Sequence, residues 1–313
     1  FSDMYMFQDA VAEGVIETGM KANLSRALVS FSPDANIASD TRFQEAKALV
    51  ENYQNAADER VKVDFSLHAE YTNMPHYIAQ VGEYTAANNL RMHLHVSETE
   101  KEHNECIARH GKTPTKLFYD LGALNTPTLA AHCVWVNDED IAIMAEKGVS
   151  AVHNPISNLK LGSGVMPLGK LLAAGVNVCL GTDGGASNNR LDILREMQTA
   201  AILHKGILLD PTATTASQMP KLATRNGALA QGRQDCGEIS IGSRADLILI
   251  DRNSVHNMPC FDDYAMLCYS AERSDVLMTM VDGRILYQNG TYTLIDEERL
   301  RYDAQKVFAH YFD

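Results

Sequence analysis

Short apolar runs alternate with longer amphipathic stretches along residues 1–204. The apolar runs predict strands at Phe1–Phe7, Leu24–Phe31, Val61–Leu67, Leu90–Val96, Thr128–Val134, Val149–His153 and Val176–Gly181. The stretches between them have the apolar spacing of helices, at Gln8–Lys21, Thr41–Asn55, Pro75–Asn88, Glu100–Arg109, Pro114–Leu121, Asp138–Glu146, Pro167–Ala174 and Asn189–His204. Strands that alternate with helices of this length are typical of βαβ units, and therefore of a parallel sheet.

Two α/β architectures compete for this pattern, an open doubly wound sheet and a closed (β/α)8 barrel. The first normally carries a glycine-rich phosphate loop, and neither G-x-G-x-x-G nor G-x-x-x-x-G-K-[ST] occurs. Polar side chains instead follow several strand ends, where a TIM-type barrel builds its active site: His68, His95, His132, His153 and Asp183. The pattern favours the barrel, although the predicted strands fall one short of a closed barrel and would leave two open edges.

The pattern changes after a predicted helix at Gln218–Ala230. Short strands joined by Gly, Asp-Gly and Asn-Gly turns follow, and Glu297–Phe312 is typical of a closing helix. We therefore expect a barrel over residues 1–235, part of a small β domain over 236–292, and a C-terminal helix over 293–313.

Composition narrows the partners of the chain. Its 40 Asp and Glu residues outnumber 27 Lys and Arg, and the resulting charge of −13 argues against a nucleic acid or an anionic membrane as the main partner. No apolar run approaches the length of a membrane span, and the first residues lack the signature of a signal peptide. Six cysteines without a C-x-x-C pair favour a reducing, cytoplasmic setting. A small-molecule substrate fits these features.

Individually, the polar residues at the strand ends are weak signals. His93 and His95 share one face of a strand, so that both imidazoles could bind one metal. The alternative, which we favour, is that His93 is packed below and only His95 reaches the barrel mouth. Glu98 follows as a proton donor or acceptor, or as a solvated loop residue. His132 ends an apolar strand, where a core histidine is the alternative, and Asp183 between glycines is also consistent with a turn. Together they predict a hydrolytic metal site.

Four segments carry a resemblance to a known family: HLHVSETEKEHNECIARHGKTP, AAHCVWVNDEDI, HNPISNLKLGSGVMPLGKLLAAGVNVCLGTDGGASNN and GSRADLILID. They resemble the amidohydrolase superfamily, specifically the 5′-methylthioadenosine/S-adenosylhomocysteine deaminases and their chlorohydrolase-like relatives. The resemblance runs in order along essentially the whole chain. It implies a (β/α)8 TIM-type barrel with a composite β-sandwich, and a metal-dependent deamination of adenine nucleosides that uses Zn²⁺ or another divalent transition metal.

The resemblance also implies residue roles. His95 matches a metal ligand, and Asp183 matches a second ligand that also accepts the proton of the attacking water. His132 matches the histidine that orients and polarises this water, and Glu98 matches the carboxylate that contacts N1 of the purine and shuttles its proton.

Three further positions match substrate contacts of the family. His68 is similar to the histidine that contacts the nucleoside sugar. Arg26 and Arg42 fall where the family places arginines for the amino-acid carboxylate of S-adenosylhomocysteine.

One motif of the family is absent from these 313 residues. The family's first barrel strand ends in H-x-H, within PGxxNxHxH, and supplies two metal ligands; here FSDMYMF resembles the second strand. We therefore expect a barrel that lacks its first βα unit, with two further histidine ligands upstream of Phe1. Metal held by this chain alone is expected to be weak or absent. The alternatives left open are another ring deaminase or chlorohydrolase, and a catalytically incomplete fragment. Open sheet edges would favour a homo-oligomer.

Overall fold

The computed structural model of the chain describes residues 1–312. Its strands form two separate sheets. The strands are β1 (Ser2–Tyr5), β2 (Ala22–Leu28), β3 (Val61–Val63), β4 (Phe65–Leu67), β5 (Met92–Val96), β6 (Thr128–His132), β7 (Ser150–His153), β8 (Asn177–Leu180), β9 (Leu247–Ile250), β10 (Val276–Val281), β11 (Arg284–Gln288) and β12 (Thr291–Tyr292).

Helices connect and flank these strands. They are α1 (Gln8–Thr18), α2 (Thr41–Tyr53), α3 (Ala56–Glu59), α4 (Pro75–Ala87), α5 (Glu100–His110), α6 (Pro114–Asp120), α7 (Asp138–Lys147), α8 (Pro155–Lys160), α9 (Leu168–Ala173), α10 (Gly185–Asn188), α11 (Ile193–Leu208), α12 (Gln218–Ala223), α13 (Arg225–Ala230), α14 (Asp263–Tyr269) and α15 (Glu297–Phe312). Along residues 1–312, no helix is both long and apolar enough to cross a bilayer.

The first sheet is parallel, and its strands lie in chain order β1-β2-β4-β5-β6-β7-β8. The α/β prediction is therefore confirmed. The seven strands in this order form the curled parallel sheet of a TIM-type barrel. β1 and β8 lie at its two ends, and within the described residues no ladder joins them. Apart from the end strand β1, the strands are almost continuously buried, because helices cover the outer face of a parallel sheet.

One predicted strand is divided in the structure. Val61–Leu67 forms β3 and β4, which pair successive parts of β2 and are separated by Asp64. Its side chain is buried and accepts from Asn23 Nδ2 at 3.1 Å, while its N–H donates to the carbonyl of Leu24. The interruption falls at this buried carboxyl group, which an apolar pattern cannot predict.

Other boundaries differ for identifiable reasons. Residues 155–160, for which no helix was predicted, form α8, with Pro155 in its first turn. The helix expected at 189–204 begins at Ile193, where the side chain of Asp192 accepts from the N–H of Arg195 as its N-cap. The helix expected at 218–230 is broken at Thr224.

The second sheet is antiparallel, with the order β12-β11-β10-β9. It lies within the 236–292 segment expected to form a small β domain, and the domain boundary itself stays a prediction. The last helix, α15, falls within the predicted 293–313 segment, of which residue 313 lies outside the described residues. Side chains 298–311 of α15 are exposed.

The core lies between the parallel sheet and its helices. Its largest fully buried side chains are Leu24, Leu28, Phe65, Leu67, Tyr77, Ile78, Met92, Leu94, Phe118, Met144, Met166 and Leu168. A smaller cluster joins Leu129, Cys179 and Ala230. This packing fixes the strand positions and leaves their carboxyl ends at one edge of the sheet, where the polar side chains lie.

Candidate active site

Three of the predicted histidines meet at the carboxyl ends of neighbouring strands. His68 follows β4, His95 lies near the end of β5, and His132 ends β6. The ring centroids of His68 and His95 are 5.0 Å apart, and those of His95 and His132 are stacked at 5.5 Å. The parallel register places Ala131 opposite His95 and so brings these rings together.

His95 presents a lone pair to the site. Its Nδ1 lies 2.6 Å from the backbone carbonyl of His68, and a carbonyl only accepts, so Nδ1 carries the proton and Nε2 does not. Burial holds the pKa of His95 well below its usual value, which keeps the ring neutral. His93 lies on the same face of β5, nearer its start, with the ring centroids 6.2 Å apart. It is buried, and this burial lowers its pKa to about 4.

His132 is oriented by a single amide. Its Nδ1 donates to Oδ1 of Asn158 at 2.8 Å, and both side chains are almost wholly buried. Nε2 therefore carries the lone pair, and it lies 3.8 Å from Oε2 of Glu98. His132 also has a φ of 73°, in the left-handed region that residues other than glycine seldom adopt. The ring thus faces Glu98 with its basic nitrogen.

Glu98 lies on the loop after β5 and is half-buried. Its Oε1 accepts from the hydroxyl of Ser163 at 3.1 Å, and the carbonyl of Ser163 accepts from Nε1 of Trp135 at 2.7 Å. The carboxylate is thereby held beside His132 with one oxygen towards that ring.

Asp183 is held from two sides. Its Oδ2 accepts from the hydroxyl of Ser157 at 2.6 Å, and its Oδ1 accepts from the N–H of Gly184 at 2.6 Å. Ser157 is adjacent in sequence to Asn158, which holds His132. One short helix, α8, therefore positions both Asp183 and His132.

The predicted substrate residues occupy different places. His68 belongs to the histidine cluster, and burial lowers its pKa. Arg42 is exposed in the first turn of α2, and its guanidinium donates to the carbonyl of Val29, just beyond β2. Arg26 instead bonds Glu45 of α2 at 2.7 Å and lines, with Met6 and others, a cavity of about 300 Å³ beside α2. The structure joins Arg26 to the helix layer and not to the histidine cluster.

His153 belongs to a second, buried pair. Its Nε2 lies 3.0 Å from Nε2 of His204 on α11, and burial lowers the pKa of both rings, to about 3 and about 4. The N–H of Gly181 donates to the carbonyl of His153, and a Cβ at Gly181 would collide with the side chain of Asn154. This contact explains the glycine before Thr182 and Asp183.

Several positioning residues were not predicted from the sequence. They are Glu102, Ser157, Asn158, Ser163, Asn188 and Glu196. For Ser157, Asn158, Ser163 and Asn188 the signal was the polar composition of the HNPISNLKLGSG and GTDGGASNN segments, which does not say which side chain each residue would hold; Glu102 and Glu196 lie outside both segments.

The imidazole nitrogen of His95 and the carboxylate oxygens of Asp183 are ligand types that zinc accepts. The Nε2 lone pair of His95 is free of its backbone anchor, as a metal ligand requires, and the Asp183 oxygens keep further lone pairs. They are fewer than the three or four protein ligands of a typical zinc site. Over residues 1–312, no group of three or more His, Cys, Asp or Glu side chains is placed to hold a metal ion.

Comparison with known proteins identifies the family. The profile of the amidohydrolase family matches residues 1–286. A 5′-deoxyadenosine deaminase of Methanosarcina mazei is 43% identical over 307 residues, which cover 98% of this chain and 70% of that protein. A 5-methylthioadenosine/S-adenosylhomocysteine deaminase of Dictyoglomus thermophilum is 44% identical over 306 residues, 98% of this chain and 71% of that one.

A solved structure agrees with these sequence matches. The structure of an adenosine deaminase from Xanthomonas campestris with bound zinc has a TM-score of 0.90 at 33% identity, over 96% of this chain and 69% of that chain. Together with the geometry of the strand ends, these matches show that the chain belongs to the amidohydrolase family.

Proposed function

We propose that the chain catalyses the hydrolytic deamination of adenine nucleosides, with 5′-methylthioadenosine, S-adenosylhomocysteine and 5′-deoxyadenosine as the candidate substrates. The observation that carries the proposal is the placement of Glu98 beside Nε2 of His132, next to the neutral ring of His95. An acid, a base and a ligand at one barrel mouth suit the replacement of an amino group by water. Similarity to proteins named as deaminases of these nucleosides supports the choice of substrate.

The reaction adds water to C6 of the adenine ring and releases ammonia. A divalent metal such as zinc, held by His95 and Asp183, would supply a Lewis acid that brings the pKa of water towards neutrality. His132 accepts a hydrogen bond from the attacking water at Nε2, which its bond to Asn158 leaves unprotonated. Asp183 takes the proton of this water.

Glu98 manages the proton on the ring. It passes one proton of the attacking water to N1 as oxygen bonds to C6, so that negative charge does not build up on the purine. The proton taken up by Asp183 then passes to the amino group, and the C6–N bond breaks. The products are the 6-oxo nucleoside and ammonia, which balances the water consumed.

The test is ammonia release from a panel of compounds, measured with zinc added and with zinc omitted. The panel contains the three adenine nucleosides, adenosine, guanine and a chlorotriazine. We expect ammonia from adenine nucleosides in the presence of zinc. Turnover of guanine, or chloride release from the triazine, in the absence of adenine turnover would replace the proposal with another reaction of the family.

Arg42 provides a test of the substrate class. Arg42→Ala is expected to raise KM for S-adenosylhomocysteine about tenfold, because it removes a charged hydrogen bond to the amino-acid carboxylate. KM for 5′-methylthioadenosine, which has no carboxylate, serves as the internal control and should not change. Arg26→Ala is the matched variant, and we expect a smaller effect since Glu45 already occupies that guanidinium. Equal KM values for Arg42→Ala and the wild type would remove Arg42 from the site.

A further inference from the structure

The turn that carries Glu98 has a backbone conformation that needs support. It joins β5 to α5, and Ser97 within it has a φ of 48°, in the left-handed region. The carbonyl of Ser97 accepts from the N–H groups of Val134 at 3.1 Å and Trp135 at 2.9 Å, just after β6. The turn is therefore fixed on its carbonyl side by the neighbouring strand end.

Glu102, in the first turn of α5, holds the opposite side. Its Oε1 accepts from the N–H of Ser97 at 3.1 Å, and its Oε2 accepts from the N–H of Glu98 at 2.7 Å. In an ordinary capping box, a Glu at this position bonds back to the N–H of the N-cap residue. Here the N-cap is Thr99, and the carboxylate of Glu102 reaches past it to the two residues before. The first turn of α5 therefore binds the preceding turn through Glu102.

The carboxyl group of Glu102 is buried, and burying it would be costly without these two hydrogen bonds. Glu102 is 5% exposed, and burial, with the nearby Glu70 and Glu98, raises the pKa of its carboxyl group to about 7. Hydrogen bonds from backbone N–H groups oppose that rise, as they favour the carboxylate. The adjacent Glu70 has its own partner, Arg109. The carboxylate of Glu102 is thus committed to the turn and not to an ion pair.

We propose that Glu102 is a positioning residue, which holds the turn through both N–H groups and so aims the Glu98 carboxylate at His132 and the substrate ring. The contacts of the Glu98 side chain fit this role. One carboxylate oxygen accepts from the hydroxyl of Ser163, and the second lies 3.8 Å from Nε2 of His132. The part that concerns the ring rests on the proposed function. The part that concerns the turn rests on the geometry alone.

The first experiment tests the turn without any assay of activity. Amide hydrogen exchange of Ser97 and Glu98 is compared in the wild type, in Glu102→Gln and in Glu100→Gln. Gln has a single acceptor oxygen, so one of the two N–H groups loses its partner and should exchange about tenfold faster. Glu100 is exposed in the same helical turn, and its variant is the matched control. Unchanged exchange in Glu102→Gln, or an equal change in Glu100→Gln, would overturn the proposal.

The second experiment tests whether Glu102 acts through Glu98. A double-mutant cycle compares kcat/KM for deamination, with zinc added, in the wild type, Glu102→Gln, Glu98→Gln and the double variant. We expect Glu102→Gln to lower kcat/KM about tenfold when residue 98 is Glu, and by less than about twofold when residue 98 is Gln. An equal loss in both backgrounds would mean a general structural role and would contradict the proposal.

Two controls keep the outcomes separate. Thermal unfolding of each variant checks that it folds. Should Glu102→Gln not fold, Glu102→Asp withdraws the carboxylate by one methylene and should raise the same exchange rates. If the wild type releases no ammonia from any adenine nucleoside, the proposed function fails, while the exchange experiment still decides whether Glu102 holds the turn.

Discussion

Residues other than glycine adopt left-handed backbone conformations at three strand ends of the site. Their φ angles are 48° for Ser97, 73° for His132, 46° for Cys133 and 61° for Asp183. Each such conformation costs about 1–3 kcal/mol and persists only where surrounding contacts enforce it. The contacts are visible here: Asn158 and Ser157 hold His132 and Asp183, and Glu102 holds the turn at Ser97. Strain is thus stored where the reacting side chains must point out of the sheet.

Asn158 is the side chain whose loss should be felt most directly at His132. Asn158→Ala leaves the Nδ1–H of His132 buried without an acceptor, at a cost of about 1–3 kcal/mol, and frees the ring to adopt the other tautomer. We expect kcat/KM for deamination to fall roughly 10²-fold, the low end of what a positioned acid or base contributes. Ammonia release measures the rate, and ¹⁵N chemical shifts of the histidines measure the tautomer.

Asn158→Asp is the control for this prediction, since its carboxylate can accept the same hydrogen bond. It should retain the Nδ1–H tautomer and more of the activity than Asn158→Ala. Equal tautomer populations in the wild type and Asn158→Ala would contradict the role assigned to the amide.

A helix behind the site ties its loops together. Glu196 on α11 accepts from Nδ2 of Asn188 at 2.5 Å and from the N–H of Ile156 at 3.1 Å, and Asn188 also donates to the carbonyl of Thr182. One buried carboxyl group therefore connects the start of α8 with the loop that carries Asp183. The loop that carries this aspartate is therefore tied to α11 as well as to its own strand.

Glu196 should make stability depend on pH. Burial raises the pKa of its carboxyl group from 4.5 to about 7. The folded state thus binds the proton more tightly than the unfolded state. The stabilisation is complete below the unfolded pKa and is lost as the pH rises through about 7. The whole change is on the order of 3 kcal/mol at most.

Glu196→Gln, which cannot ionise, removes this dependence. We expect the free energy of unfolding of the wild type to fall relative to Glu196→Gln between about pH 5 and pH 8, as measured by urea titration. Glu100→Gln, at an exposed position, is the matched control and should parallel the wild type. A constant difference between wild type and Glu196→Gln across this range would show that the carboxyl group does not titrate there.

The two sheets are joined through one buried cation. Nζ of Lys21, after α1, lies 2.7 Å from Asp246, which precedes β9, and 2.6 Å from Asp282, in the turn between β10 and β11. The side chain of Lys21 is 10% exposed, so water screens these ion pairs weakly. The second sheet is thereby anchored to the amino-terminal edge of the first, away from the active site.

Lys21→Met should destabilise the protein as a whole. It removes the nearest cation from two neighbouring carboxylates, of which Asp282 keeps, among the described residues, only Arg244 at 3.5 Å, and we expect a loss of about 3–5 kcal/mol in the free energy of unfolding by urea titration. Lys101→Met, which removes an 81% exposed lysine from an ion pair with Glu105, is the control and should stay within about 0.5 kcal/mol of the wild type. Similar values for the two variants would mean that Lys21 does not anchor the sheet.

Much of the site could be predicted because its residues follow strands that are recognisable from their own sequence. His95, Glu98 and His132 come together as expected, since parallel strands in chain order bring their carboxyl ends to one edge. Arg26 could have been placed by the same reasoning. Arg26 lies two positions from Leu24 and two positions from Leu28 on β2, so its side chain points to the same face as theirs. Leu24 and Leu28 pack into the helix-facing core.

The partners of these residues could not be predicted. Asn158 lies 26 positions from His132, and Ser157 lies 26 from Asp183. Glu102 is close to Glu98 in sequence, but an ordinary helix start would have directed it to Thr99. The buried carboxyl group of Asp64 likewise accepts from Asn23, 41 positions away. Hydrogen bonds require positions accurate to a few tenths of an ångström, and only packing of the whole chain supplies them.

The amino-acid sequence alone specifies the alternation of strands and helices, the parallel order of the sheet and the set of polar residues at its edge. These follow from local apolar periodicity and from position along the chain, which need no knowledge of distant contacts. Tertiary structure specifies which nitrogen of His95 and His132 is unprotonated, which carboxylate faces the ring site and which one holds the turn. These properties depend on the hydrogen-bond partner that each side chain meets, and burial makes an unmet partner costly.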